Sequence, residues 1–392
     1  MQLIRIRTRP GLFSASGAPS RLAAALVVAA LAAAGPALSL DLQEQTASYG
    51  FRNFTDADHV HVQSHVLEYQ TQLRTATVDL HWNHETVTVP GVDAQAGTQE
   101  AVDAITTASR PIRAGGDAFR DFSKVRNEFQ TGVAFPRVQA GYYLSTESDY
   151  FAQQLRGSYN RDFLDRNLNL LVGSSYGWDA IEPLEDDDTA TGNDRRTTWN
   201  WNAVATQILS PTLVLRAGGD ITLVKGLQHN PYRNVYAGGA PRPERHPDQR
   251  VRRDAFLRFS KYLKNRSSIQ LDLAAYGDDW GLTSHAVSGR LNQYVTEDIL
   301  VRYRYRFYSQ NAADFYRPEY EDSTGAGGYL TADYRLGSFD SHLFGALVEF
   351  NLGGLTHRAM LRRVNLSLKY ERYFNTNNFS ANIFESGLSY AF

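Results

Sequence analysis

The chain has 392 residues, 42% hydrophobic and 21% charged, with a formal net charge of −2. That balance lacks the basic footprint of a nucleic-acid binder. Cysteine is absent, which excludes a disulfide scaffold, a cysteine-ligated zinc or iron–sulfur centre, a thiol nucleophile and a lipidated N-terminal cysteine.

The N-terminus reads as an export signal. Arg5, Arg7, Arg9 and Arg21 give it a basic character without an acid, and Leu22 to Ala34 is an apolar, alanine-rich run. Ala37 and Ser39 are small residues placed for cleavage after Ser39. The run is shorter than the roughly 20 residues that span a bilayer. Residues 1–39 are therefore expected to be a cleaved signal peptide, and 40–392 a single mature domain.

From there the chain alternates with period two. In 75–85, Ala76, Val78, Leu80 and Trp82 share one side, while Thr77, Asp79, His81, Asn83 and Glu85 share the other. In 299–310, Ile299, Val301, Tyr303, Tyr305 and Phe307 oppose Arg302, Arg304, Arg306, Tyr308 and Gln310. Strands are predicted to start near 43, 59, 75, 124, 137, 150, 167, 196, 211, 250, 267, 284, 299, 341, 361 and 379. Tight turns near 73, 136, 164, 210, 264 and 296 alternate with long polar loops at 89–123, 182–196, 228–249 and 311–340. Trp82, Tyr142, Trp178, Trp199, Trp201, Trp280 and Tyr294 fall near strand ends, as interfacial girdles require. The last strand carries Phe384, Leu388, Tyr390 and Phe392 on one face, with Ile383, Glu385, Gly387 and Ser389 on the other.

Together these features predict an all-β, transmembrane antiparallel up-and-down β-barrel of about 16 strands (14–18), the only strand architecture a bilayer tolerates. The implied location is the bacterial outer membrane. The implied partners are its lipid and, through the strand ending on Phe392, the barrel-assembly machinery.

Two side-chain groupings carry candidate chemistry. If Val60, Val62 and Val66 face lipid, then His59, His61 and His65 face the lumen. A turn near 73 would then bring His81 opposite His65 and Glu85 near His61, a set able to ligate a divalent metal. The second grouping is electrostatic. Arg302, Arg304 and Arg306 form a lumenal ladder. A turn near 296 places Arg290 beside Arg302, and one near 265 places Arg258 opposite Asp272. Arginines so arranged favour anions in a pore, or join a salt-bridge network that plugs one. There is no Gly-x-Ser-x-Gly elbow and no His-Glu-x-x-His, so neither an enzyme nor a cofactor is implied.

The strings at 101–111 (AVDAITTASRP), 145–150 (STESDY), 308–316 (YSQNAADFY), 333–342 (DYRLGSFDSH) and 370–373 (YERY) resemble an uncharacterised family of bacterial outer-membrane barrels, domain of unknown function 3570. The resemblance implies a fold and a location, and brings no substrate or site residue. The leading functional expectation is a pore or gated transporter for small solutes or ions. A plugged barrel that binds a partner through its long loops is the alternative, and a metal-binding barrel is the third reading.

Overall fold

A computed structural model describes residues 44–57, 60–89, 122–184, 192–321, 325–356 and 361–392. The first strands are β1 (Gln45–Asp56), β2 (His61–Gln72), β3 (Thr77–Val89), β4 (Phe122–Ala134), β5 (Val138–Thr146) and β6 (Tyr150–Phe163). Next come β7 (Leu168–Ile181), β8 (Asp194–Ser210), β9 (Leu213–Gly226), β10 (Asn234–Ala237), β11 (Ala240–Pro243) and β12 (Gln249–Leu263). The last are β13 (Ser267–Asp278), β14 (Thr283–Tyr294), β15 (Ile299–Gln310), β16 (Phe339–Asn351), β17 (Val364–Asn375) and β18 (Ser380–Ala391). All but β10 and β11 close into one antiparallel barrel in which each strand pairs with its neighbours in sequence; β9 meets β12, and β18 returns to β1. The sixteen barrel strands begin within three residues of the predicted starts. β10 and β11 form a separate hairpin inside the β9–β12 connection.

Alternation sets the two faces. Leu155, Val172, Trp201, Ile221, Leu271, Tyr303, Phe344, Tyr370, Phe384 and Leu388 are exposed, and the register puts each on the outer side. Such residues are stable there only against hydrocarbon, because water would leave a large apolar belt uncovered. Leu155→Lys, near the middle of β6, is expected to destabilise a bilayer-refolded barrel by ~2–4 kcal/mol. Its neighbour Gln154→Lys, on the lumen side, is expected to cost far less. Denaturant titration in lipid vesicles checks the pair, and equal costs would contradict the assignment of faces.

Closure follows the last-strand pattern. Tyr49 opposes Leu388, Ala47 opposes Tyr390, and Gln45 and Phe392 exchange backbone hydrogen bonds of 3.1 and 2.9 Å. These pairs remove the final sheet edge.

Two girdle assignments change. Trp280 does not sit on the outer face. It lies in the β13–β14 connection, 4% exposed, donating from Nε1 to the Gln249 carbonyl at 2.9 Å. Tyr294 shares the lumen-side parity of Arg290 and Asn292. Proximity to a strand end did not distinguish the two sides at either position.

Connections also sort by side. The start of β1, the end of β18 and the connections after β2, β4, β6, β8, β12, β14 and β16 lie at one end. The long connections between β9 and β12 and between β15 and β16 lie at the other end, the mouth.

Candidate functional site

β15 turns Arg302, Arg304, Arg306, Tyr308 and Gln310 into the lumen, in the predicted parity. Arg258 stands opposite Asp272, also as predicted, and donates to its carboxylate. Asp272 accepts a second hydrogen bond from Gln270 at 2.8 Å. The β14–β15 register differs by two residues from expectation: Arg290 opposes Arg304, and Arg302 opposes Asn292, whose amide oxygen accepts from Nε at 2.6 Å. Arg304 reaches past Gly345 to Glu371 at 3.1 Å. A Cβ at Gly345 would stand 3.0 Å from Glu371, so the absent side chain is what lets this pair bridge a strand.

Three further arginines belong to the same wall. Arg216 opposes Arg258, with its guanidinium 5.8 Å from the Phe256 ring. Arg252 faces inward above Asp254 on β12, and Arg250 above it pairs with Asp278 at 2.5 Å. Among the described residues, Arg216, Arg252, Arg290 and Arg306 make no hydrogen bond or ion pair with a carboxylate. Two acids share this sector: Asp220 opposes Asp254, and Asp220 accepts from Asn200 at 2.7 Å. Elsewhere around the lumen most charges are matched. Arg126 bridges Glu85 and Glu128 at 2.7 and 3.8 Å, and Lys369 bridges Glu371 and Glu385 at 3.2 and 2.9 Å. Among the described residues Arg156 of β6 also faces the lumen without a carboxylate partner, but the larger group of such cations lies on β9, β12, β14 and β15.

The histidine grouping does not assemble. The register pairs His65 with His84, His81 with Glu68, Glu85 with Ser64 and His61 with Thr88. His81 and Glu85 face the lumen as expected, but His61 and His65 face outward. The parity of β2 is the reverse of the one assumed, because Val60, Val62 and Val87 pack together on the lumen side. His65 finds its place in an outer aromatic group instead, with Nδ1 2.7 Å from the Tyr49 hydroxyl and its ring centroid 5.3 Å from that of Phe51. His59 lies outside the described residues. Among the described residues no group of three potential ligands is placed to hold a metal ion.

The mouth carries a folded lid. The 227–248 connection, with its β10–β11 hairpin, and the 311–338 connection join through bridges from Ala237 to Tyr320 and from Arg245 to Leu330. Val235, Ala237, Tyr320, Leu330 and Ala332 form one apolar cluster; Trp280, Leu282, Ala313, Phe315 and Leu336 form another. Charge lies at the centre of this lid. Arg233, 0% exposed, stands 2.6 Å from Asp333 and 3.9 Å from Glu244. Glu244 Oε1 accepts from Thr331 Oγ1 at 2.8 Å. His246 Nε2 is 3.8 Å from Glu244, and its ring packs edge-on against Trp280 at 5.4 Å. The lid is fastened on both flanks. The Tyr232 hydroxyl donates to Asp149 at 2.5 Å, and Tyr334 stacks on Phe379 at 6.0 Å.

Burial sets the protonation of this cluster. It lifts the Glu244 carboxyl to about 7, against an opposing pull from Arg233, and drops the His246 imidazole to about 4. Burial would raise Asp333 as well, but Arg233 and Arg335 outweigh it and hold that carboxyl below its ordinary range. The closed lid therefore favours neutral Glu244, a contribution full below about pH 4.5 and lost as pH rises through 7. It also favours neutral His246, a contribution full above about 6.5 and lost as pH falls through 4. The two slopes oppose and largely offset each other in between. Glu244→Gln leaves only the histidine slope. The protection factors of amides in 227–248, relative to the intrinsic exchange rate at each pH, should then fall steadily on acidification from pH 7 to 4.5, whereas those of the native lid stay nearly flat.

Below the lid a cavity of about 640 Å³ is lined by Arg252, Tyr276, Arg306 and Tyr308 from the wall and by His246 and Arg335 from the lid. A second space of about 520 Å³ lies beside Arg52, Glu68, Lys369 and Glu385.

Residues 23–382 match the family described as protein of unknown function (DUF3570). The chain belongs to that family. No curated protein sequence matches this DUF3570 member. Among solved structures, OccK1 (OpdK) of Pseudomonas aeruginosa is similar at 11% identity, with 89% of this chain and 98% of that one covered and a TM-score of 0.44. A BenF-like porin from Pseudomonas fluorescens Pf-5 is similar at 11% identity, with 90% and 100% covered and a TM-score of 0.44. A loop L8 deletion mutant of OmpT, an outer membrane protein of Vibrio cholerae, is similar at 9% identity, with 89% and 98% covered and a TM-score of 0.43.

Proposed function

We propose that this barrel resides in the bacterial outer membrane after removal of 1–39, and passes small anionic solutes along the arginine face of β9, β12, β14 and β15. The observation that carries the reading is the set of partnerless guanidiniums, Arg216, Arg252, Arg290 and Arg306, on one lumen wall. Charges without partners are costly in a dry interior and cheap in water. Their accumulation fits a wet passage with positive potential, the arrangement that favours anions in pores. The cavities on both sides of the lumen leave room for water beneath the lid.

The lid favours a second reading, a closed barrel whose mouth docks a partner. Reconstitution into planar bilayers separates the two. Stepwise ionic conductance supports passage. A correctly refolded barrel that stays silent under all applied voltages supports the docking barrel and removes the transport reading.

A further inference from the structure

The cavity under the lid has a charge arrangement of its own. Five guanidiniums line it, from Arg196, Arg250, Arg252, Arg306 and Arg335. Three are engaged at short range: Arg196 with Asp179 at 2.8 Å, Arg250 with Asp278 at 2.5 Å and Arg335 with Asp333 at 2.6 Å. The other two are not. Arg252 Nε is shielded from solvent without a hydrogen-bond partner. Arg306 lies over the Tyr308 ring at 5.3 Å and meets no carboxylate.

The register separates these two cations. Arg306 is level with Ser288, Asp272 and Arg258, whereas Arg252 lies six residues further toward the mouth than Arg258. Six residues are ~20 Å along a strand and three strand spacings ~14 Å across the sheet, so the two Cα atoms stand ~24 Å apart along the wall, and a ligand must bridge what the two extended arginine side chains leave. On the diagonal between them stand Tyr276 of β13 and Ala286 of β14, with Ala274 alongside, all lining the same cavity. The two alanines keep the wall open there, and the tyrosine gives it an aromatic flank. A single small anion cannot meet both guanidiniums. A molecule with an anionic group at each end and an apolar middle can.

We propose that this cavity is a recognition chamber for organic dianions, α,ω-dicarboxylates in their simplest form, with Arg252 and Arg306 each taking one carboxylate. The inference deepens the anion-passage reading and rests on it for its biological meaning. Asp254, on the same wall, disfavours anionic groups placed between the two ends. That adds selection against compact anions.

Calorimetric titration of the refolded barrel in detergent tests the chamber, using succinate, adipate and suberate, with hexanoate and hexane-1,6-diol as the singly charged and uncharged counterparts. At least one dicarboxylate should bind about tenfold more tightly than hexanoate, and the diol should not bind measurably. Arg252→Gln and Arg306→Gln should each reduce that dicarboxylate to the affinity of hexanoate. Arg252→Lys and Arg306→Lys, which keep the charge, should retain a preference for two carboxylates. Hexanoate binding as well as every dicarboxylate, or no binding of any acid by the native protein, would overturn the chamber. The native series alone decides this should a variant fail to fold. Dicarboxylate binding by a barrel that conducts no ions would leave the chamber standing and remove the pore. Conduction without dicarboxylate preference would do the reverse.

Discussion

Replacing Arg290 and Arg306 together by glutamate is expected to turn an anion-preferring conductance into a cation-preferring one. Both side chains face the lumen and neither is held by a carboxylate, so reversing them changes the potential of the passage without breaking an ion pair. Two unit charges about 7 Å apart in water interact by roughly 0.6 kcal/mol. Four units of charge change, partly screened at physiological salt, are then worth about tenfold in the ratio of anion to cation permeability. The zero-current potential under a salt gradient should change sign. Glu371→Gln is the control, since it frees Arg304 and should strengthen anion preference. A double variant that conducts with the native potential would mean that ions do not pass this wall.

Arg233→Met is expected to release the lid while the barrel stays closed. Arg233 is fully buried at 2.6 Å from Asp333 and 3.9 Å from Glu244. Its removal leaves two acids sharing a dry site, a loss of about 3–5 kcal/mol when one partner of a buried pair is deleted. It lies outside the sixteen barrel strands, so heat-dependent gel mobility should remain that of an intact barrel. Protease should now cut within 227–248 and 311–338. Adding Glu244→Gln and Asp333→Asn should restore much of the protection, because the acids then need no counter-charge. Cutting at strand ends throughout the barrel would show that Arg233 supports the whole fold and not the lid alone.

Sequence alternation carried most of the architecture, since an apolar outer face and a polar lumen face enforce a period of two. That is why Arg302, Arg304 and Arg306, and the Arg258–Asp272 pair, could be placed from residue order. Arg216 was equally legible: Leu215, Ala217 and Ile221 alternate with Arg216, Gly218 and Asp220. Arg252 was harder, because it adjoins Arg253 and only the phase set by Arg258 between Leu257 and Phe259 tells which one turns inward. β2 misled for a physical reason. Near the mouth the lumen side is packed by the lid-end residues Val60, Val62 and Val87, so apolarity no longer marks lipid there, and the histidines fall outside. The lid cluster left no local trace. Arg233, Glu244 and Asp333 meet only after two connections fold on each other, and neither spacing nor periodicity announces such a meeting. Residues 1–43 lie outside the described structure, so the export signal is still read from the sequence alone.

The most direct measurement is the zero-current potential of the native barrel in a planar bilayer separating unequal concentrations of potassium chloride. An arginine-faced passage should give the sign for chloride preference, and the preference should weaken as ionic strength rises and screens the guanidiniums. A potential with the sign for potassium preference, or no current through a correctly refolded barrel, would contradict the account.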